Sequence, residues 1–254
     1  MKNSNIRSEN RKALPKYLLL ILAGAVVGGV LGFLSGMAGA SDMPAAIAGG
    51  MDRLLAAIVP WGIPVSGVVL LGGGFVLYQR AKKLSAGWDG EDEDTVDRAE
   101  ELLDWVLLLG SLAMILDFFF LAAGGTHSDG TMTPLAVTGC FLVSVALIVV
   151  LQQKVVDLTK TLNPEKHGSV YDLRFQKKWF ESCDEAEKAQ IGQAAYQAYK
   201  AGAMTCMVLW VALIILDFVF GFGLMPVFVV LLVWGVLQVT YTLACIRLSR
   251  RKRS

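Results

Sequence analysis

Apolar residues along this chain gather into long blocks separated by short polar segments, and the blocks are long enough to cross a bilayer. A spanning helix needs about 20 mostly apolar residues for a hydrocarbon core of roughly 30 Å. Six stretches meet that demand, at about 17–39, 55–78, 105–124, 134–152, 202–222 and 224–246. The second is the least regular, because Pro60 and Pro64 stand four apart in VPWGIPVSG. Neighbouring helices satisfy the backbone groups that proline frees, so the pattern predicts a kinked span there, not a loop. The expected fold is all-α: one integral membrane domain over 1–254, six spans arranged as three hairpins, with cytoplasmic segments at 79–104 and 153–201.

Composition agrees with the pattern. Of the 254 residues 55% are hydrophobic and only 18% charged, and the mean hydropathy is +0.55, which is too apolar for a soluble domain of this size. Lysines and arginines then set the orientation, since they are expensive to translocate in short loops. The N-terminal tail holds five of them, the segment after span two four, the segment after span four eight and the C-terminal tail five, which leaves only Arg53 on the opposite side. Both termini are therefore expected in the cytoplasm. Ala38-Gly39-Ala40 resembles a signal-peptidase site, but the apolar run before it exceeds the 7–15 residues of a signal peptide, and an uncleaved first span is expected.

The net charge of +1 conceals a local division. Residues 89–101, DGEDEDTVDRAEE, carry eight acids against one arginine, and RLSRRKRS at the end carries five basic residues. Acids suit the N-terminal turns of the helix that becomes span three. The basic tail suits anionic headgroups of the inner leaflet. Cys140, Cys206 and Cys245 fall in spans and Cys183 in a cytoplasmic segment, with no CxxC, so the expectation is reduced thiols and no metal.

A search for repeats brings two acids forward. MILDFFF at 114–120 is echoed by IILDFVF at 214–220, which aligns Asp117 with Asp217 at an offset of 100 residues. The helix ends FVLYQRAKKL (75–84), VVLQQKVVDL (149–158) and GVLQVTYTLA (235–244) add a weaker likeness, and the three hairpins read as parallel repeats. The first hairpin has VLGF at 30–33, with Gly32 where the acid would be. Gly24, Gly28, Gly32 and Gly36 also recur every four residues, a stripe that lets another backbone come close, within the bundle or between subunits.

A carboxylate inside a span costs on the order of 2.5–3.5 kcal/mol on insertion scales. Asp117 and Asp217 are therefore expected to face the bundle interior, in the outer half of the membrane and at similar depths. No span offers a lysine, arginine or histidine as counter-charge. The available partners are each other, the hydroxyls of Ser111, Thr138, Ser144 and Thr240, the Gln238 amide, backbone carbonyls, a proton or a bound cation. Two readings stay open. The pair forms a proton or cation site open to the outside, or each acid is protonated or hydrogen-bonded to a neighbouring helix and fixes bundle register. The LDF context lacks the YD and GxGD settings of intramembrane aspartyl proteases.

The largest polar stretch, 153–200, breaks at Asn163-Pro164 and passes His167-Gly168. Leu173, Phe175, Trp179 and Phe180 then alternate with Arg174, Lys177 and Lys178, a mixture suited to a membrane interface. Asp184 with Glu187 three residues later forms a capping-box pattern for the helix that leads into span five. His167 and Cys183 match no metal spacing. The chain lacks GxxxxGK[ST], HExxH and GxSxG. Its polar segments are also too short for a catalytic domain, so no enzyme activity, catalytic residue or cofactor is expected.

Asn163-Pro164, FQKKWFESCDEAEK (175–188) and QAAYQAYKA (193–201), together with the six-span layout, resemble a bacterial membrane-protein family catalogued as domain of unknown function 3169. The resemblance implies a multi-pass protein of the bacterial plasma membrane and implies no activity, cofactor or site residue. The expected partners are the lipid bilayer and either another membrane protein or a second copy of this chain, and no nucleic acid. Function divides between a non-enzymatic accessory or interaction protein and a small proton- or cation-coupled transporter or channel that uses the two aspartates.

Overall fold

The computed structural model describes residues 43–88, 92–126 and 132–251, together with residues 19, 22–24, 26, 28–30, 33–34 and 36–37 of the first apolar stretch, all of these last being helical. Gly32 lies outside the described residues. The architecture is all-helical among the described residues: α1 (Met43–Ser66), a π-helical turn (Gly67–Leu71), α2 (Gly72–Ala86), α3 (Glu93–Thr126), α4 (Met132–Leu162), the short α5 (Phe175–Glu181), α6 (Glu185–Phe220) and α7 (Met225–Arg251). Five helical rods among them are long and apolar enough to cross a membrane, Pro44–Ala86, Asp94–Gly125, Pro134–Leu162, Glu185–Phe220 and Met225–Leu248; they contain the second, third and fourth expected spans and all but the last two residues of the fifth and the first of the sixth.

Helical structure continues through Pro60 and Pro64. Past the two prolines comes a wider turn: the N–H of Gly72 reaches the carbonyl of Gly67, five residues back. Such π-helical turns insert one extra residue into an otherwise α-helical rod.

Contacts divide the chain into two compact units, residues 50–191 and residues 1–49 with 192–254. In the first, α1, α2, α3 and α4 stack their buried side chains in three layers. One comprises Val59, Ile63, Ala123 and Val137. The next holds Leu71, Ala113 and Ile148. The third holds Tyr78, Ala81, Ala99, Leu103, Val106, Leu151, Val155 and Leu162. Thus span two packs on spans three and four.

Two glycines make room for side chains of the neighbouring helices. A Cβ on Gly62 would stand 2.3 Å from the Phe120 ring, and one on Gly124 would stand 2.9 Å from Val137. These contacts join α1 to α3 and α3 to α4.

The third layer reaches well past the apolar stretches. α3 starts twelve residues before span three and α4 runs ten residues past span four, about 18 and 15 Å at 1.5 Å per residue. The elbow between α4 and α6 folds back along α4, where Ser169 and Val170 bond Gln153 one residue past the apolar stretch, and its Tyr171, Leu173 and Phe180 are exposed.

In the other unit, α6 and α7 pair side by side. The Tyr199 hydroxyl donates to Gln238 Oε1 at 2.6 Å, its ring stacks on Tyr241 at 4.2 Å, and Gly202 faces Leu237.

Candidate functional site

Asp117 lies between the first and second apolar layers, because it follows Ala113 by four residues and precedes Phe120 by three on α3. The same spacing brings Ser66 and Ser144 to its level: Ser66 falls between Ile63 and Leu71, and Ser144 falls four residues before Ile148. The result is a thin polar layer enclosed by apolar ones. Asp117 has 0% exposure, and Ser66 and Ser144 are buried with it.

The geometry is compact. The Ser144 hydroxyl donates to Asp117 Oδ2 at 2.6 Å. Ser66 Oγ lies 3.3 Å from Asp117 Oδ1 and 3.0 Å from the Ile63 carbonyl oxygen. Phe118 meets Phe141 at 5.4 Å between ring centroids, bracing α3 on α4 beside the acid. Outside this layer a groove of about 480 Å³ runs along α1 and α3, lined by Trp61, Val65, Val69, Leu116 and Phe120, with Ser66 also on its wall. Its lining is apolar apart from that serine.

Asp217 has a different surrounding. It is part-exposed, and its Oδ1 accepts the N–H of Gly223 at 2.7 Å while its own carbonyl accepts the N–H of Gly221 at 2.8 Å. Gly221 and Gly223 have φ of +66° and +78°, the left-handed conformation that ends helices and favours glycine. The acid is thus part of the turn that closes α6. The two aspartates belong to different compact units: Asp117 is held by serines of two neighbouring helices and Asp217 by the turn that follows its own.

Other expected partners are engaged elsewhere. Ser111 and Thr138 donate to the carbonyls of Leu107 and Pro134 one turn back in their own helices, and Gln238 is taken by Tyr199. Among the described residues no group of three or more histidine, cysteine or acidic side chains is placed to hold a metal ion. A Cβ on Gly24, Gly28 or Gly36 would meet nothing within 4 Å, so their stripe presents an open face. Sequence reasoning missed Ser66 and Gly62, both hidden in the proline-containing stretch. Their signal was a serine and a glycine on the face of α1 that also carries Val59 and Ile63.

The elbow is a second polar cluster. The N–H of Glu187 donates to Asp184 Oδ1 at 2.7 Å, and Glu187 Oε2 accepts the N–H of Asp184 at 2.9 Å, the reciprocal pair of a capping box. Glu187 also accepts from the buried Lys166 ammonium. Burial by itself would lower Lys166, but the Glu187 hydrogen bond, with Cys183 facing it, holds it above the usual lysine value. Gln153 Oε1 accepts from the Ser169 hydroxyl at 3.0 Å and the Val170 N–H at 2.8 Å, and Asn163 donates to Glu100, which fastens the elbow to α4 and α3. His167 and Cys183 do not combine: the His167 N–H goes to Ser182 and the Cys183 thiol donates to the Trp179 carbonyl.

Comparison with known proteins gives one match. The model of a family described as protein of unknown function (DUF3169) matches residues 11–245. No curated protein and no solved structure matches the chain.

Proposed function

The chain belongs to the DUF3169 family, whose function is unknown, and we propose that it is a six-span protein of the bacterial plasma membrane, with both termini in the cytoplasm, that acts without catalysis as an accessory or interaction subunit. The observation that carries this reading is the Asp117 layer. A coupling site must exchange its proton or cation with water, whereas this carboxyl group has no exposure, both oxygens are engaged by serines of its own unit, and the adjoining groove is apolar. Asp217 closes a helix end. We read Asp117 as fixing helix register, against the default by which an intramembrane acid marks an ion pathway.

Partners are then sought along the apolar faces. α6 and α7 expose Val208, Leu209, Leu231 and Leu232, and Gly24, Gly28 and Gly36 leave room for a second backbone. These surfaces fit lipid and the helices of another membrane protein or a second copy.

Reconstitution of the full chain into vesicles with an imposed proton or alkali-cation gradient tests the reading. The expected flux equals that of protein-free vesicles. A flux that the double variant Asp117→Asn, Asp217→Asn abolishes would establish the competing transport function instead.

A further inference from the structure

We propose that the elbow between α4 and α6 is an in-plane membrane anchor, with Tyr171, Leu173 and Phe180 set into the boundary between headgroups and acyl chains of the leaflet where span four ends. The inference goes beyond the accessory role proposed above and holds for either orientation of the chain.

Hydrogen bonds fix the height of the elbow. α4 runs on to Leu162, yet Ser169 and Val170 return to Gln153, about 14 Å back along the helix at 1.5 Å per residue and at the point where Gln152-Gln153-Lys154 ends the apolar stretch of span four. Two successive turns follow: the N–H of Asp172 donates to the Ser169 carbonyl and the N–H of Phe175 to the Asp172 carbonyl, both at 2.9 Å. They keep Leu173 beside that attachment. A segment tied one residue past a bilayer-length apolar helix lies at the headgroup boundary, so the bilayer is the occupant that the height selects.

The side chains divide accordingly. Phe175 packs on Trp179 with ring centroids 5.5 Å apart, and a Cβ on Gly168 would stand 2.8 Å from the Phe175 ring. Lys178 pairs with Asp172 and Lys166 with Glu187, and Cys183 is buried. With the interior of the hook filled in this way, Tyr171, Phe180 and the wholly exposed Leu173 project outward. The headgroup boundary buries such groups, and tyrosine suits that depth. Arg174 and Lys177, exposed beside them, can lay their stems along the boundary and keep their charges among the headgroups.

A nitroxide amino acid at 173, introduced without cysteine chemistry into the full chain in nanodiscs of phosphatidylcholine and phosphatidylglycerol, reads the depth. It is expected to be relaxed more by oxygen, which concentrates among acyl chains, than by a water-soluble nickel chelate. The same label at 165, beyond the end of α4, is expected to show the reverse. A label at 173 that favours the chelate overturns the proposal, and so does one shielded from both reagents, which would place it in a contact with protein such as a second copy. Equal preference at the two positions removes the difference in height and overturns it as well. Trypsin gives a second measure. The triple change Tyr171→Ser, Leu173→Ser, Phe180→Ser should leave the melting midpoint in detergent unchanged, while cutting after Arg174, Lys177 and Lys178 in nanodiscs becomes several-fold faster. An unchanged or slower rate of cutting overturns the anchor, and a fall in the midpoint assigns the three side chains to protein packing and overturns it too. Neither readout depends on the vesicle flux, so a failed anchor leaves the accessory reading standing and a measured flux leaves the anchor standing.

Discussion

Two helices of this protein carry Ile-Leu-Asp-Phe, and they end differently after it. α3 continues nine residues past Asp117, through Leu121-Ala122-Ala123, to Thr126. α6 stops three residues past Asp217, where Gly221 and Gly223 turn the chain left-handed. Asp117 is thereby carried into the packed interior of α1, α3 and α4, while Asp217 spends its side chain on the turn. A tetrapeptide repeated at an offset of 100 residues fixes the residue type and not its work, which the next few residues and the neighbouring helices decide.

The largest test of this contrast is truncation of the acids. Asp117→Ala leaves two buried hydroxyls without their partner and opens a cavity, at a cost of about 2–4 kcal/mol. Asp217→Ala loses one partly exposed hydrogen bond at a helix end, about 1 kcal/mol. Thermal melts of the two purified variants in one detergent should show the larger fall for Asp117, and equal falls would erase the distinction.

Next in size is Gly62→Ala, whose methyl would meet the Phe120 ring at 2.3 Å and cost about 1–3 kcal/mol by overpacking. Gly28→Ala, with nothing within 4 Å, should leave the melting midpoint of the monomeric chain unchanged in detergent. If both behave alike, the glycines of span two are not the ones that set the helix spacing. Gly221→Ala forces a methyl-bearing residue to φ +66°, costing about 1–2 kcal/mol, whereas Gly125→Ala, helical and uncrowded, should be neutral or slightly stabilising by the same assay.

The smallest effect concerns pH at the elbow. Lys166 is held above the ordinary lysine value when folded, so its contribution is complete below that ordinary value and is lost as pH rises through the folded one. Proteolysis between α4 and α6 should therefore quicken on strong alkalinisation, and Lys166→Met should remove that part of the pH dependence. An unchanged profile in the variant would assign the alkaline loss to other groups.

Much of this was legible in the chain. Five apolar rods follow from residue composition alone, since a bilayer-length run of leucine, valine and phenylalanine has few alternatives to a helix. The Asp184–Glu187 box was legible because capping is local. Asp117 stood out as an acid without a counter-charge, and Ser144 was among its candidate hydroxyls. Ser66 was not, because its approach depends on α1 remaining helical through two prolines, a tertiary outcome that no window of sequence encodes. Gly62 was obscured for the same reason, while the regular spacing of Gly24, Gly28, Gly32 and Gly36 drew attention to a face on which the described glycines have no close neighbour.

The wide turn at Gly67–Leu71 also sets a phase. Ser66 precedes it and Tyr78 and Ala81, anchors of the third layer, follow it, so both ends of one rod are keyed to the same two helices only because the turn contains a surplus residue. An α-helix advances about 100° per residue. Deleting a single residue among 67–71 would rewind the rod to uniform pitch and swing Tyr78 and Ala81 by about that angle, setting the anchors on the two sides of the turn in competition for its rotation.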